Sequence, residues 1–340
     1  MKSTARLVVA VAVGLLCGVT LFGQEAAVPL PPPATDTIAP DIPGVVKGGT
    51  TVQVVVDGLK HTDGPVAMRD GTLLYWDYME RRIGKIDPQG KPSTFLSNTD
   101  GASAMAFDSK GRLITTLKEH PPVNKIGVIW PKGNEAILAD SFDGKPFEGP
   151  NDLVVDRRDG IYFTLSGSGT VLYARPGAKV IRVFAHPVER INGIVLSPNE
   201  RTLYVATQSR VAKPTLSIAD LAKEGGEYLW AFDVQPDGTV KNQRNFARYE
   251  IATRRPNDTP DLRFGGDGLA VDAQGRVYAA TAAGIQVFSP QGQHLGTIPV
   301  SRNPNNLAFA GPDKRILYIV ARGAVFKVTM IAEGYKGRAK

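Results

Sequence analysis

The sequence predicts an all-β fold, a six-bladed β-propeller with four-stranded blades, its ring closed by an N-terminal strand. Three observations carry that expectation. A short phrase recurs six times: a polar residue, an apolar trio, an aspartate-glycine type turn, then an alternating strand. It reads DGPVAMRDGTLLYW from Asp63, SAMAFDSKGRLITT from Ser103, NDLVVDRRDGIYFT from Asn151, NGIVLSPNERTLYV from Asn192, DGLAVDAQGRVYAA from Asp267 and NNLAFAGPDKRILYIV from Asn305. Repeats of roughly 40 to 50 residues mark stacked units, because one such sheet cannot bury both of its apolar faces alone. The third repeat shows a whole blade: DLVVD, GIYFTL, TVLYA and KVIRVFA are short β-branched or aromatic runs separated by turn residues, and strands rather than helices have that pattern. Finally, the run TTVQVVV at Thr50–Val56 precedes the first repeat, while the sixth runs short after Val325–Thr329. The early strand therefore completes the last blade.

Taken in order, the chain opens with Lys2 and Arg6, an apolar run from Leu7 to Phe22 and then small and polar residues. That layout predicts a signal peptide over residues 1–26 and export to the periplasm or the medium, with no membrane attachment once processed; a retained anchor is the rival reading. Cys17, the only cysteine, lies inside this run and lacks the small residue before it that a lipoprotein signal requires. Disulfides therefore contribute nothing to the exported fold. Residues 27–49, rich in Pro, Ala, Thr and Asp, read as an extended tether. The propeller spans 50–330, and 331–340 form a basic C-terminal tail. Helical character is confined to SIADLAK at Ser217–Lys223, within an excursion from Thr207 to Tyr228 placed to shape the entrance of a site.

Forty Lys and Arg against 33 Asp and Glu give a formal net charge of +7. The basic residues are scattered, apart from Arg254-Arg255 and the tail, and form no stripe with interleaved aromatics. A nucleic-acid partner is not expected, and the charge reads as solvated surface.

The repeat also locates a site. In four copies the leading polar residue precedes a turn Asp or Ser by the same five positions: Ser103 and Asp108, Asn151 and Asp156, Asn192 and Ser197, Asp267 and Asp272. Equal phase means equal placement, immediately before each innermost strand. Asp63, Ser103, Asn151, Asn192, Asp267 and Asn305 are thus expected to ring one mouth of the central channel. The plainer reading is that Asp-Gly and Asn-Gly at 63, 192 and 267 are ordinary turn dipeptides. Against it, two carboxylates and several amides meeting at one point repel one another without a cation, and oxygen donors favour a hard ion, calcium first with magnesium or manganese behind it. The four histidines, His61, His120, His186 and His294, lack the spacing of a zinc site. His61 and His120 lie near loop ends, where they touch substrate or serve as surface histidines. Trp76-Asp77 occurs once and reads as blade packing.

With the ring identified, the chain resembles the senescence marker protein, gluconolactonase and luciferin-regenerating enzyme family from about Gly58 to Thr329. The pieces that carry the resemblance are FDGKPFEGPNDLVVD at Phe142–Asp156, INGIVLSPNERTLYVA at Ile191–Ala206, LWAFDVQPDGTV at Leu229–Val240 and GGDGLAVDAQGRVYAA at Gly265–Ala280. The resemblance implies a divalent-metal-dependent lactonase acting on a small sugar-acid lactone. The metal is usually calcium, with magnesium, manganese or zinc as the other ions. It further implies Asp63, Asn151, Asn192 and Asp267 as ligands, Asp267 also as general base, and Asn151 as a substrate contact. His120 and Arg263 are further candidate substrate contacts, Arg263 for the product carboxylate; a solvated loop arginine is the plainer reading of the latter. Asp63 departs from the usual glutamate by one methylene, and Leu165 takes an acidic place in a trimmed loop, FTLSGSGT. These departures motivate one rival reading, a non-catalytic propeller binding a sugar, peptide or protein at its mouth; an esterase-like hydrolase on the same scaffold is a further one.

Overall fold

A computed structural model describes residues 33–337 except 60, 79, 100, 118–123, 178, 187–189, 210–224 and 252–264. The expected signal peptide, His120, Arg263 and the helix-like piece at 217–223 lie outside the described residues.

All regular structure among the described residues is β, in six antiparallel blades and one two-stranded hairpin, Ser141–Phe142 with Lys145–Pro146. Their innermost strands are Thr62–Ala67, Ala102–Phe107, Pro150–Val155, Arg190–Leu196, Gly266–Val271 and Pro304–Ala310, which define blades 1 to 6. Blade 3 continues through Ile161–Leu165 and Thr170–Ala174 to Ile181–Ala185, close to the strands expected from its sequence. Thr51–Val56 pairs antiparallel with Ala324–Thr329 and closes the ring as expected.

Alternation along each strand sends successive side chains to opposite sheet faces, so every blade feeds two interfaces. In blade 3, Leu153 and Val155 pack toward blade 2 while Val154 packs toward blade 4. Six separate apolar clusters result, one between each neighbouring pair of blades. The core of this molecule is therefore a ring of interfaces, and no blade buries its apolar surface without both neighbours.

The turn Asp of the repeat closes the innermost hairpin. Asp156 Oδ1 accepts the N–H groups of Arg158 and Gly160, both at 2.8 Å. Asp108 and Asp272 accept from the same relative positions, and Ser197 Oγ accepts from Thr202 N at 3.0 Å. This local bonding is the Asx-type turn that makes Asp and Ser the residues of choice there.

Two boundaries differ from expectation. Thr37–Ile38 adds a fifth strand to blade 6, and Ala39, Ile42, Val45 and Val46 are buried against blades 5 and 6, so 33–49 is a docked segment rather than a free tether. Its prolines prevent a long strand, but the apolar residues between them supply a small face that the rim of blade 6 covers. The start of the basic tail is tied to the same segment: the N–H groups of Ile331 and Ala332 both donate to Val45 O, at 2.9 and 3.1 Å.

Candidate functional site at one mouth of the channel

The ring residues stand inside the innermost strands, second or third in each, and not before them. The reason is a β-bulge in every innermost strand. In blade 3 the pairing passes from Pro150 opposite Leu165 directly to Leu153 opposite Phe163, so Asn151 and Asp152 together face Thr164. Blades 2, 4 and 5 shift in the same way at 103–104, 192–193 and 267–268. Asp63 stands just ahead of the shift in blade 1, and Asn305 supplies it in blade 6. An extra residue re-aims the side chain beside it.

The glycines of the Asp-Gly and Asn-Gly pairs therefore do not make turns. A Cβ at Gly193 would lie 2.1 Å from the carbonyl oxygen of Asp267, one at Gly64 1.8 Å from that of Ser103, and one at Gly268 1.9 Å from Asn306 Oδ1. They are spacers that let neighbouring blades meet backbone to backbone at the channel.

Where the spacer position carries a side chain, that side chain reaches the next blade. Asp152, buried in blade 3, accepts from its neighbour Leu153 N at 2.9 Å and from Ile194 N of blade 4 at 3.1 Å. Asn306 of blade 6 donates to Asp63 Oδ1 of blade 1 at 3.2 Å. Two threonines repeat one bridge. Thr116 Oγ1 accepts from Ala104 N at 3.1 Å and donates to Asn151 O at 3.0 Å; Thr164 Oγ1 accepts from Asp152 N at 3.1 Å and donates to Asn192 O at 2.8 Å. Backbone carbonyls at ring positions are thus fixed from the preceding blade.

Among the expected site residues, Asn151 Nδ2 donates to Asn192 Oδ1 across the boundary of blades 3 and 4. Asp63 Oδ1 also accepts from Gly64 N at 2.7 Å. Asp267 and Asn305 line a cavity of about 150 Å³ with His61, Gln208, Asn303 and Arg322. Asn303 Oδ1 is buried in that wall with no hydrogen-bond partner among the described residues. Behind it, burial and the nearby Asp267 carboxylate raise the pKa of the Tyr249 phenol, which remains neutral through the physiological range. His61 touches Trp76 and Tyr78 edge to face, with centroids 6.3 and 6.0 Å away, which fixes its ring at the cavity rim.

Among the described residues no three His, Cys, Asp or Glu side chains converge. The donors that the ring offers are instead the carboxylates of Asp63 and Asp267 and the amide oxygens of Asn151 and Asn192. That all-oxygen set suits a hard divalent cation and not a soft one. Sequence reading missed Asp152, Asn306, Thr116, Thr164 and Asn303; the break in the spacer series, Gly64, Ala104, Asp152, Gly193, Gly268, Asn306, was the available signal.

Comparison with known proteins adds an independent line. The chain is 24% identical over 326 residues to the gluconolactonase of Zymomonas mobilis, covering 85% of this chain and 84% of that protein. In structure it is similar to a gluconolactonase of Xanthomonas campestris, with TM-score 0.69, 24% identity and coverage of 89% and 99% of the two chains. It is also similar to regucalcin of Agrobacterium tumefaciens, described as a calcium-binding protein, with TM-score 0.62, 17% identity and coverage of 84% and 95%. The model of the SMP-30/Gluconolactonase/LRE-like region matches residues 61–323, and the chain belongs to that family.

Proposed function

We propose that this protein hydrolyses a sugar-acid lactone at the bulged mouth of the channel, with Asp267 as general base. The observation that carries the reading is the position of Asp267. A bulge stands at this carboxylate-bearing residue, which lines a cavity whose polar groups are amides, a hydroxyl, an imidazole and a guanidinium, with alanine and proline between them. Its backbone carbonyl is packed against Gly193, next to Asn192. The polar groups around it can hydrogen-bond the hydroxyls of a small ring.

Asp63, Asn151, Asn192 and Asp267 would hold a divalent cation, calcium foremost given the donor set and the calcium-binding regucalcin relative. When bound, the cation supplies charge stabilisation to the carbonyl oxygen of the lactone. Asp267 takes a proton from water as the water oxygen bonds to the carbonyl carbon. The ring C–O bond then breaks, and its oxygen leaves as the new hydroxyl with that proton, giving a hydroxy acid. Asn151 orients the substrate, with His120 and Arg263 as further candidate contacts. Export is part of the same proposal, resting on the N-terminal sequence alone.

The test is a pH-stat screen of aldonolactones with chelator-treated protein, with and without added calcium, magnesium or manganese. Metal-stimulated acid release above the buffer rate is expected. No acceleration with any lactone and any ion would overturn the reading.

A further inference from the structure

The channel has a second mouth, and its chemistry is different. Ala67, Phe107 and Val155, the last residues of the innermost strands of blades 1 to 3, line a cavity of about 790 Å³ together with Trp130, Arg69 and Lys314. It therefore opens at the opposite end of those strands from the ring of Asp and Asn residues. Its volume lies within the roughly 300–1,000 Å³ usual for small-molecule sites.

Four carboxylates and four cations line it, and the two signs are engaged differently. Each carboxylate is held in place by the protein's own hydrogen-bond donors. Asp70 accepts from Thr72 N at 2.9 Å. Asp108 accepts from Lys110 N and Arg112 N and from Arg112 Nε. Asp156 holds its turn and the Tyr173 hydroxyl. Asp159 accepts from both N and Oγ of Ser109 at 2.7 Å. Of the cations, Arg157 pairs with Glu200 and Lys336 with Glu333.

Arg69 and Lys314 have no such partner among the described residues. Arg69 Nη2 donates to Ser109 O at 3.3 Å, and Lys314 Nζ donates to Phe309 O at 3.3 Å. A desolvated ammonium with one carbonyl acceptor is poorly compensated. Burial accordingly holds Lys314 down at about 8. The apolar part of the wall is aromatic: Trp130 stands edge to face with Phe107, centroids 6.3 Å apart, and packs on Phe95 at 5.6 Å.

We infer that this far mouth is a second ligand site, for a small carboxylate with a flat apolar body. The carboxylate would meet Lys314 and Arg69, and the body would lie along Trp130 and Phe107. Two cations without carboxylate partners and an aromatic wall in one cavity are the combination that recognises such an anion. The inference is independent of the chemistry at the other mouth.

Titration calorimetry of the full chain with 2-naphthoate as probe tests it, with the neutral 2-naphthamide alongside. Saturable one-to-one binding of the acid is expected, with the amide at least tenfold weaker. Lys314→Met and Arg69→Gln should each weaken the acid at least tenfold at unchanged fold, judged by thermal melting, while Asp267→Asn at the other mouth should leave its binding unaltered. Absence of saturable binding, equal affinity for acid and amide, or loss of binding in Asp267→Asn would overturn the inference. The amide comparison uses the unmodified protein and so stands even if a variant fails to fold.

Discussion

Replacing Gly193 by alanine tests whether the bulged spacers, rather than turns, hold the site together. The added methyl would lie 2.1 Å from Asp267 O and 3.0 Å from the Cα of Gly268, and both contacts are backbone. A comfortable heavy-atom contact is about 3.5 Å, so blade 5 must retreat by roughly 1.4 Å where it carries Asp267. Overpacking of this kind costs about 1–3 kcal/mol, which for a domain of this size lowers the melting temperature by roughly 2–5 °C. The same displacement moves the proposed base, and a misplacement of ~1 Å can cost about a hundredfold in rate. Gly167→Ala is the control, since a Cβ there meets nothing within 4 Å. Differential scanning calorimetry and a pH-stat assay at saturating metal read the two effects. If Gly193→Ala melts and turns over as Gly167→Ala does, Gly193 is a turn residue and the spacer account fails.

Further outcomes follow from the same geometry. Asp152→Ala removes the acceptor of two buried N–H groups, Leu153 and Ile194, and should destabilise by about 1–3 kcal/mol in urea unfolding; an unchanged midpoint contradicts the bridging role. Asp63→Ala should weaken calcium binding measured by calorimetry while Asp63→Glu retains or tightens it, and equal affinity in wild type and Asp63→Ala would exclude Asp63 as a ligand. Calcium or manganese added to chelator-treated protein should raise the melting temperature, because the ion binds only the folded ring; no shift with any divalent ion at millimolar concentration contradicts the cation site. Lys314, held at about 8 instead of 10.5, binds fewer protons folded than unfolded between those values. The wild type should therefore gain stability relative to Lys314→Met as pH rises through that window, by about 3 kcal/mol in total. Parallel stability curves for the two proteins would contradict the burial of that charge.

The blade count, the strand pattern and the closing strand were legible in the sequence because each rests on a period the residues must keep. A period of two sends Leu153 and Val155 one way and Val154 the other, and the repeat spacing places six such strands around one channel. The equivalent places of Ser103, Asn151, Asn192 and Asp267 on their innermost strands were legible from phase. What phase could not show was the bulge: Gly64, Gly193 and Gly268 look like turn glycines, and only the approach of the next blade's backbone reveals them as spacers. Cross-blade contacts were hidden for the same reason. Thr116 and Asn151 are 35 residues apart and belong to different repeats, so no local pattern joins them. Residues 33–49 misled through composition, because prolines and small residues obscured the few apolar side chains, Ile42, Val45 and Val46, that dock the segment.

The central claim is that Asp267 performs the proton transfer of lactone hydrolysis, and one substitution addresses it most directly. Asp267→Asn keeps the size of the side chain and an oxygen but removes the proton acceptor, so at saturating metal turnover of an aldonolactone should fall by roughly two to four orders of magnitude. Asn305→Ala, at the equivalent position of blade 6 in the same cavity, should cost much less. Equal activity of Asp267→Asn and Asn305→Ala at full metal occupancy would contradict the account.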